Sequence, residues 1–460
     1  MSFYFGVSAQ SARSIVVAAG IYFAVILAAV ADPTGRNILF IAVDDLRPWV
    51  NYANDYEGTV HTPNIDALAA ESTRYLSAYA TVPQCVGSRA SVMMGLSPAT
   101  HHIDFASWGV EPTVQALYNN PSLLSLPQVL SQAGYHTATA GKVFHQPYPA
   151  KWDESGPTPV PVLNLYDPGP YNTFLNPEVL PDTEVHPDQI VANWAETFIN
   201  SYTAENPFFL AIGLYQPHIP WRVPQWAYDL YPLAEVVTPM AIPGDLDDEP
   251  ALAVSLARGQ PAYPIFNGGG LYYDELISAS GQAPAYTQAY LASISHTDAM
   301  VGQVLAALAA SPFANNTDII LWSDHGYHLG EKYHWQKLTF WEQSVKVPLL
   351  VKASENPNYQ VGDVNAPVSL LDLAPTVLDL AGLPPFPQFQ GVPLRTGASS
   401  HSPVKIYLTV EGKRGRATVS AAHVKNIDYD LDTAQGSLDQ ARYNLLSDKN
   451  EEYNVWTPGC

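Results

Sequence analysis

The segment Asn37-Ile38-Leu39-Phe40-Ile41-Ala42-Val43 is a nearly continuous apolar run that ends abruptly at Asp44-Asp45. A short run with no polar alternation has no face to give to water, so it fits a central strand of a sheet covered on both sides. The residues that follow agree. Thr62 is a good helix N-cap, Pro63 suits the first helical position, and Ile65, Leu68 and Ala69 share a face. Strand then helix is the opening of a doubly wound α/β fold. The pattern recurs, with strands predicted over His136–Ala140, Phe208–Leu214 and Asp318–Ser323. These run out toward Gly141-Lys142, His218 and Asp324-His325. Helical patterns intervene over Gln189–Tyr202 and Tyr286–Ala309, and Pro367–Ala381 reads as the last helix of the main domain.

Open parallel sheets bind ligands beyond the carboxyl ends of their strands. One strand ending in a polar residue means little, because most do. Four strands ending in Asp, Lys or His point to a shared site. Beyond about Phe386 the texture changes, with short strands predicted over Lys405–Val410, Thr418–Ala422 and Arg442–Leu446. The expected division is a leader over residues 1–31, a catalytic domain over 32–385 and a small antiparallel subdomain over 386–460.

The leader is read from Arg13 and the apolar run Ile15 to Ala31, which closes in Ala29-Val30-Ala31. A basic residue, an apolar stretch and a small-x-small site describe a secretory signal peptide cleaved after Ala31. The competing reading is an uncleaved anchor helix, since the run is close to the shortest that spans a bilayer. Either way the expectation is a secreted, periplasmic or lysosome-like location. A net charge of -22 argues against nucleic acid or an anionic membrane surface as partner. An anionic substrate then needs a local cluster of cations. With only Cys85 and Cys460, an extensive disulfide framework is excluded.

Asp44, Asp45 and Asp324 come from strands far apart in sequence. Converging carboxylates repel and are costly to desolvate together, so a site that gathers them needs a cation. Taken singly, Asp-Asp after a strand is more often a helix cap or a solvated turn. Three carboxylates with few softer ligands favour calcium or magnesium. Cys85 lies in Pro83-Gln84-Cys85-Val86-Gly87-Ser88-Arg89, ahead of a helix-compatible stretch. A helix N-terminus and an Arg four residues later both favour negative charge there, which makes Cys85 a plausible nucleophile or nucleophile precursor. Lys142, His145, His218 and Lys337 add positive charge and proton-transfer capacity for a tetrahedral oxyanion.

Taken together, these segments resemble the sulfatase family of the alkaline-phosphatase-like superfamily, and most closely its iduronate-2-sulfatase branch. The segments that carry the likeness are Ile41 to Arg47, Thr62 to Ala69, Cys85 to Leu96, Gly141 to His145 and Gln216 to Arg222. Ser323 to Gly326, Leu329-Gly330-Glu331, Trp335-Gln336-Lys337 and Tyr443-Asn444-Leu445 continue it in the family's order. The resemblance implies a mostly parallel sheet flanked by helices and cleavage of the sulfate ester of a carbohydrate or uronate. It places Asp44, Asp45, Asp324 and His325, with Cys85, on the metal site, calcium being the usual ion and magnesium the lesser choice. It places Cys85 on the residue that a formylglycine-generating maturation enzyme oxidises to formylglycine, whose hydrated aldehyde attacks sulfur. By the same likeness Arg89 and His145 orient and activate that group, Lys142 and Lys337 hold sulfate oxygens, and His218 protonates the leaving alcohol, alone or with Lys337. Trp221 and Arg222 stand where a sugar face could be stacked and a uronate carboxylate paired, though ordinary loop packing and a surface cation explain them equally.

The chain departs from the family in two places. The maturation motif has Pro or Ala at the third position, where this chain has Gly87, and the usual Thr-Gly-Arg is Met94-Gly95-Leu96. These changes bear on conversion of Cys85 and not on the fold. They leave open a non-catalytic pseudosulfatase that binds sulfated glycans. A phosphate or phosphonate ester hydrolase of the same superfamily is the third reading.

Overall fold

The computed structural model describes residues 35–105, 111–160, 177–258, 277, 280–353, 355–397, 403–410, 412–431 and 440–455. The predicted leader and Cys460 lie outside the described residues. Among the described residues no helix is long and apolar enough to cross a membrane.

The centre is an eight-stranded sheet. Its strands in chain order are β1 (Asn37–Asp44), β2 (Thr73–Tyr75), β3 (His136–Gly141), β4 (Glu154–Ser155), β5 (Phe208–Pro217), β6 (Thr317–Ser323), β7 (Leu349–Lys352) and β8 (Gly362–Val364). They lie in the order β8-β2-β7-β6-β1-β5-β3-β4. β1 pairs in parallel with β5 and β6, and β5 with β3, while β7 runs antiparallel to both its neighbours. The four strands predicted to share a site are therefore consecutive in the sheet, with their carboxyl ends on one edge.

Alternation along β1 shows why the run had to be apolar throughout. Leu39, Ile41 and Val43 enter one core, with residues of the helices α1 (Pro63–Ala70), α4 (Pro187–Ser201) and α5 (Ala283–Ala310). Ile38, Phe40 and Ala42 enter the other, with residues of α2 (Cys85–Met94), α3 (Leu126–Gln132) and α6 (Leu373–Leu380). All six are fully buried. Full burial of a large aliphatic or aromatic side chain stabilises by about 1.5–3 kcal/mol, so a polar residue on either face would be expensive.

Three local expectations are corrected. Thr62 does not cap α1 with its side chain. Its hydroxyl bonds Asp66, and the Asp298 carboxylate of α5 takes the backbone N–H groups of Asn64 and Ile65, the latter at 2.8 Å. The helix predicted over Pro367–Ala381 is shorter. Val368–Ser369 pairs as a strand with Ala78-Tyr79, and a capping box of Ser369 and Asp372 starts a helical turn before α6. Finally, Thr418–Ala422 straddles a turn rather than forming a strand. The antiparallel sheet consists of β9 (Val404–Val410), β10 (Lys413–Val419), β11 (Val424–Asp428) and β12 (Gln440–Asn444). Before it, Gln388 and Gln390 bond the carbonyls of Met94 and Gly95 at the end of α2.

The antiparallel sheet is tied to the main domain by buried charge. Lys425 on β11 is fully buried between Glu342, at 2.8 Å, and Glu451, at 2.9 Å. Removing one partner of such a group leaves an uncompensated charge in a dry interior. Lys425→Ala is expected to cost about 3–5 kcal/mol in chemical denaturation. Adding Glu342→Gln and Glu451→Gln to that variant should recover part of the loss.

Candidate active site

The site begins at the end of β1. Val43 is in register with Ser323 of β6, so the residues that follow, Asp44-Asp45 and Asp324-His325, emerge side by side. Asp45 has a φ of 60°, a left-handed backbone that a carboxylate residue rarely adopts without support. The support is specific. The Asp45 N–H donates to Asp324 Oδ1 at 3.1 Å, and its carbonyl accepts the Tyr290 hydroxyl of α5 at 2.7 Å. The bend turns both aspartates of β1 into one pocket.

Cys85 is the first residue of α2 and is 4% exposed. Its Sγ lies 3.2 Å from His325 Nε2 and 3.2 Å from Lys337 Nζ. One turn on, Arg89 is fully buried, and its Nε donates to Asp324 Oδ2 at 2.8 Å while Nη2 donates to Asp44 Oδ1 at 3.1 Å. Its Nη1 donates to the carbonyls of Lys142 and Val143. Lys142 follows β3 through Gly141, whose φ of +72° lets the chain turn, and its own N–H donates to the Gly213 carbonyl. A Cβ at Gly213 would meet the Lys142 backbone at 2.0 Å, so only glycine permits this approach. Lys142 Nζ donates to Asp44 Oδ2, and Lys337 Nζ donates to Asp45 Oδ1 at 2.8 Å. Lys337 is carried by a turn pinned to the Cys85 loop through Leu338 N–H and the Pro83 carbonyl.

Three carboxylates, Asp44, Asp45 and Asp324, thus face three permanent cations, Arg89, Lys142 and Lys337. Burial opposes the charge of Asp44, yet Lys142 and Arg89 hold its pKa well below the ordinary carboxylate range. Burial pushes Asp45 above that range, against the pull of Lys337. Burial lowers His325, but the charges of Asp324 and Cys85 outweigh it and leave it at about 9. Anions at this spot favour a cation.

A divalent metal fits the donor set. Asp44, Asp45, Cys85 and His325 each place one ligand atom within 4.8 Å of the others. Asp45 Oδ2 is buried without a hydrogen-bond partner. His325 Nδ1 donates to the Gly326 carbonyl at 2.9 Å, which turns Nε2 toward the carboxylates, where a metal would take the place of its proton. Asp324 stands at the edge, 3.8 Å from His325 Nε2, with its oxygens taking the N–H groups of Asp45 and His325 and the Arg89 guanidinium.

Two histidines complete the pocket. His218 Nε2 is 3.9 Å from Asp45 Oδ2, while its Nδ1 donates to the Ile219 carbonyl. Burial and the charges of Lys337 and Lys142 hold it well below the usual imidazole range. Burial and Lys142 bring His145 down to about 3. Both rings are neutral at neutral pH, and Lys337, raised by Asp45 despite burial, keeps its proton.

The expected substrate residues fare differently. Trp221 is fully buried, its Nε1 donates to the Pro217 carbonyl, and it packs on Tyr286, Tyr290 and Tyr327. It is a core residue with no free face for a sugar, which corrects the stacking role. Arg222 pairs bidentately with Glu184, at 2.7 and 2.9 Å, and with Glu178 at 3.2 Å. Residues that the sequence reading missed hold the frame. Besides Tyr290, Asp188 accepts the N–H groups of Tyr215 and Gln216 ahead of His218. Neither carries a local motif, because an Asp near a helix start and a Tyr within a helix are ordinary.

A second cluster, His186, Asp188 and His296, is buried as well. There His186 Nδ1 accepts the Asp188 N–H at 3.0 Å, so the neutral ring keeps its proton on Nε2. That nitrogen is a donor, not a metal ligand.

The sulfatase family model matches residues 36–383. The chain belongs to the sulfatase family. A sulfatase of Formosa agariphila is 34% identical over 91% of this chain and 82% of its own length. Iduronate 2-sulfatase of Mus musculus is 31% identical over 81% of this chain and 74% of its own length. A phosphonate monoester hydrolase of Agrobacterium radiobacter shares the fold, with a TM-score of 0.71, 18% identity and 91% of each chain covered. The chain is therefore a sulfuric ester hydrolase on the alkaline-phosphatase-like fold.

Gly87 has a packing reason. A Cβ there would meet the Ile103 carbonyl oxygen at 2.2 Å and Val82 Cγ2 at 2.9 Å. Restoring the family's alanine is thus expected to harm this sulfatase. Gly87→Ala should lower its stability in denaturant by about 1–3 kcal/mol, without enhancing conversion of Cys85 in a peptide mass measurement.

Proposed function

We propose that this sulfatase cleaves the sulfate monoester of a carbohydrate or uronate through formylglycine formed from Cys85 and a divalent cation, calcium rather than magnesium. The observation that carries the reading is the position of Cys85 Sγ, 3.2 Å from both His325 and Lys337 at the centre of the buried Asp44–Asp45 pocket. The carbohydrate reading is supported by the mouse relative's name, iduronate 2-sulfatase. Trp221 and Arg222 do not contribute to it.

Formylglycine would supply an oxygen nucleophile for sulfur, and a cation on Asp44, Asp45, His325 and the adjoining Asp324 would withdraw charge from the sulfate oxygens. The chain's own residues do the rest. Lys142 and Lys337, now on Asp44 and Asp45, hold sulfate oxygens beside Cys85 as charge shifts onto them. Arg89 locks Asp44 and Asp324 against Lys142 and so fixes the distance between the two strand ends. Neutral His145 can take a proton from the nucleophile. His218 presents Nε2, because its Nδ1 is bound to the Ile219 carbonyl. In the resting pocket that nitrogen is unprotonated and the proton is held by Lys337, so Lys337 supplies the leaving alcohol, with His218 sharing the task when an anionic substrate raises its basicity. The apolar run Ile15 to Ala31 with Ala29-Val30-Ala31 supports export from the cytosol.

The chain, co-expressed with a maturation enzyme, should release sulfate from sulfated uronate-containing oligosaccharides faster than it cleaves phosphate or phosphonate monoesters. Lys142→Ala should lower kcat/KM by about 100- to 1000-fold. Binding of sulfated sugars with no turnover, or a preference for phosphonate esters, would overturn this reading.

A further inference from the structure

We propose that while Cys85 keeps its thiol this pocket is a zinc site, and that conversion of Cys85 to formylglycine changes the cation it selects. The first half rests on the thiol chain alone. Only the second half depends on the sulfatase reading above.

The distances carry the argument. With metal–sulfur and metal–nitrogen bonds of about 2.3 and 2.0 Å, two ligands on a tetrahedral zinc ion lie about 3.5 Å apart for S and N, and about 3.3 Å for N and O. Cys85 Sγ is 3.2 Å from His325 Nε2, and that nitrogen is 3.4 Å from Asp45 Oδ1. These two separations match two edges of a four-coordinate polyhedron. They are assembled before any ion arrives. An Asp44 oxygen completes the set of four, all mutually within 4.8 Å and all buried.

The chemistry of the donors agrees. One sulfur, one imidazole and two carboxylates form a mixed set that zinc accepts, whereas calcium takes six to eight oxygens, by the usual preference. His325 is oriented for the task by its Nδ1 bond to the Gly326 carbonyl. Asp45 Oδ2 has no hydrogen-bond partner, so when Oδ1 turns to a metal the carboxylate can pass the Lys337 contact to Oδ2. Zinc binding displaces the thiol proton and the His325 Nε2 proton to solvent, forms sulfur–zinc and nitrogen–zinc bonds and leaves every oxidation state unchanged. Cys85 is 4% exposed, so a chain that folds with the thiol in place keeps it out of reach of a second protein. Conversion removes the soft ligand and puts oxygen in its place. Two carboxylates, one imidazole and the new oxygens, with Asp324 adjoining, are a harder set, which shifts the preference toward calcium.

The test uses the full chain made without a maturation enzyme, stripped with chelator, then reloaded with zinc in excess calcium and dialysed. Elemental analysis should find zinc retained stoichiometrically. The cobalt(II)-substituted chain should show a sulfur-to-cobalt charge-transfer band in the near ultraviolet. Cys85→Ser should abolish the band and weaken zinc binding by at least about 100-fold, more than losing a ligand's outer partner costs. Cys460→Ser should change neither. If Cys85→Ser fails to fold, Asp45→Asn serves instead, keeping the sulfur band while zinc dissociates faster. Zinc retention equal to that of Cys85→Ser, or a cobalt spectrum without the band, would overturn the proposal. A matured chain that still prefers zinc to calcium would overturn its second half. A thiol chain that binds zinc while the matured chain leaves sulfate esters intact would sink only the sulfatase reading.

Discussion

Everything at this site follows from bringing the ends of two neighbouring parallel strands together with their carboxylates pointing the same way. Asp44 and Asp45 leave β1 where Asp324 leaves β6, and all three side chains are fully buried. Such a group of anions cannot persist in a dry interior without cations. Arg89 reaches in from α2, Lys142 from the end of β3, and Lys337 from the turn that contacts the Cys85 loop. The three lysine and arginine charges offset the three carboxylates, so a divalent metal there would give the pocket the net positive charge that a sulfate ester needs. An acidic protein thereby binds an anion through strictly local chemistry.

The same constraint explains how much was legible in the sequence. Strands that must be apolar on both faces advertise themselves, and their sudden endings at Asp, Lys and His mark the active edge. Hence β1, β3, β5 and β6 were located, and their ends meet. The charged pairs were less legible, because a sequence cannot say that Arg89 spans Asp44 and Asp324 rather than meeting solvent. Trp221 shows the opposite failure. Its neighbours His218 and Arg222 suggested a binding loop, but the indole filled a gap among three tyrosines of the core. Thr62 was a sound local cap that lost to Asp298, a residue more than two hundred positions away. Strand β11 was missed because its burial alternates in a short segment, Val424–Asp428, that carries a lysine inward. Lys425 reads as a surface residue until its two glutamates are in view.

Gly87 links the local and the chemical accounts. As a departure from the maturation motif it suggested a weakened recognition sequence. In the folded chain it is where the Ile103 carbonyl and Val82 crowd the first turn of α2. The residue is fitted to its surroundings, and around it Cys85, Arg89, both lysines and both histidines retain a coherent arrangement. A chain drifting toward binding without catalysis has no need to keep a buried Arg89 bonded to two strand ends, or a lysine against the sulfur.

The central claim is that this geometry serves a formylglycine at position 85. The direct measurement is the mass of the tryptic peptide Tyr75–Arg89 from chain produced with a competent maturation enzyme. The account predicts a peptide in which CHO has replaced the CH2–SH of Cys85, captured as an adduct by an aldehyde-reactive hydrazide. A peptide that carries only the free thiol, from a host in which other sulfatases mature, would contradict it.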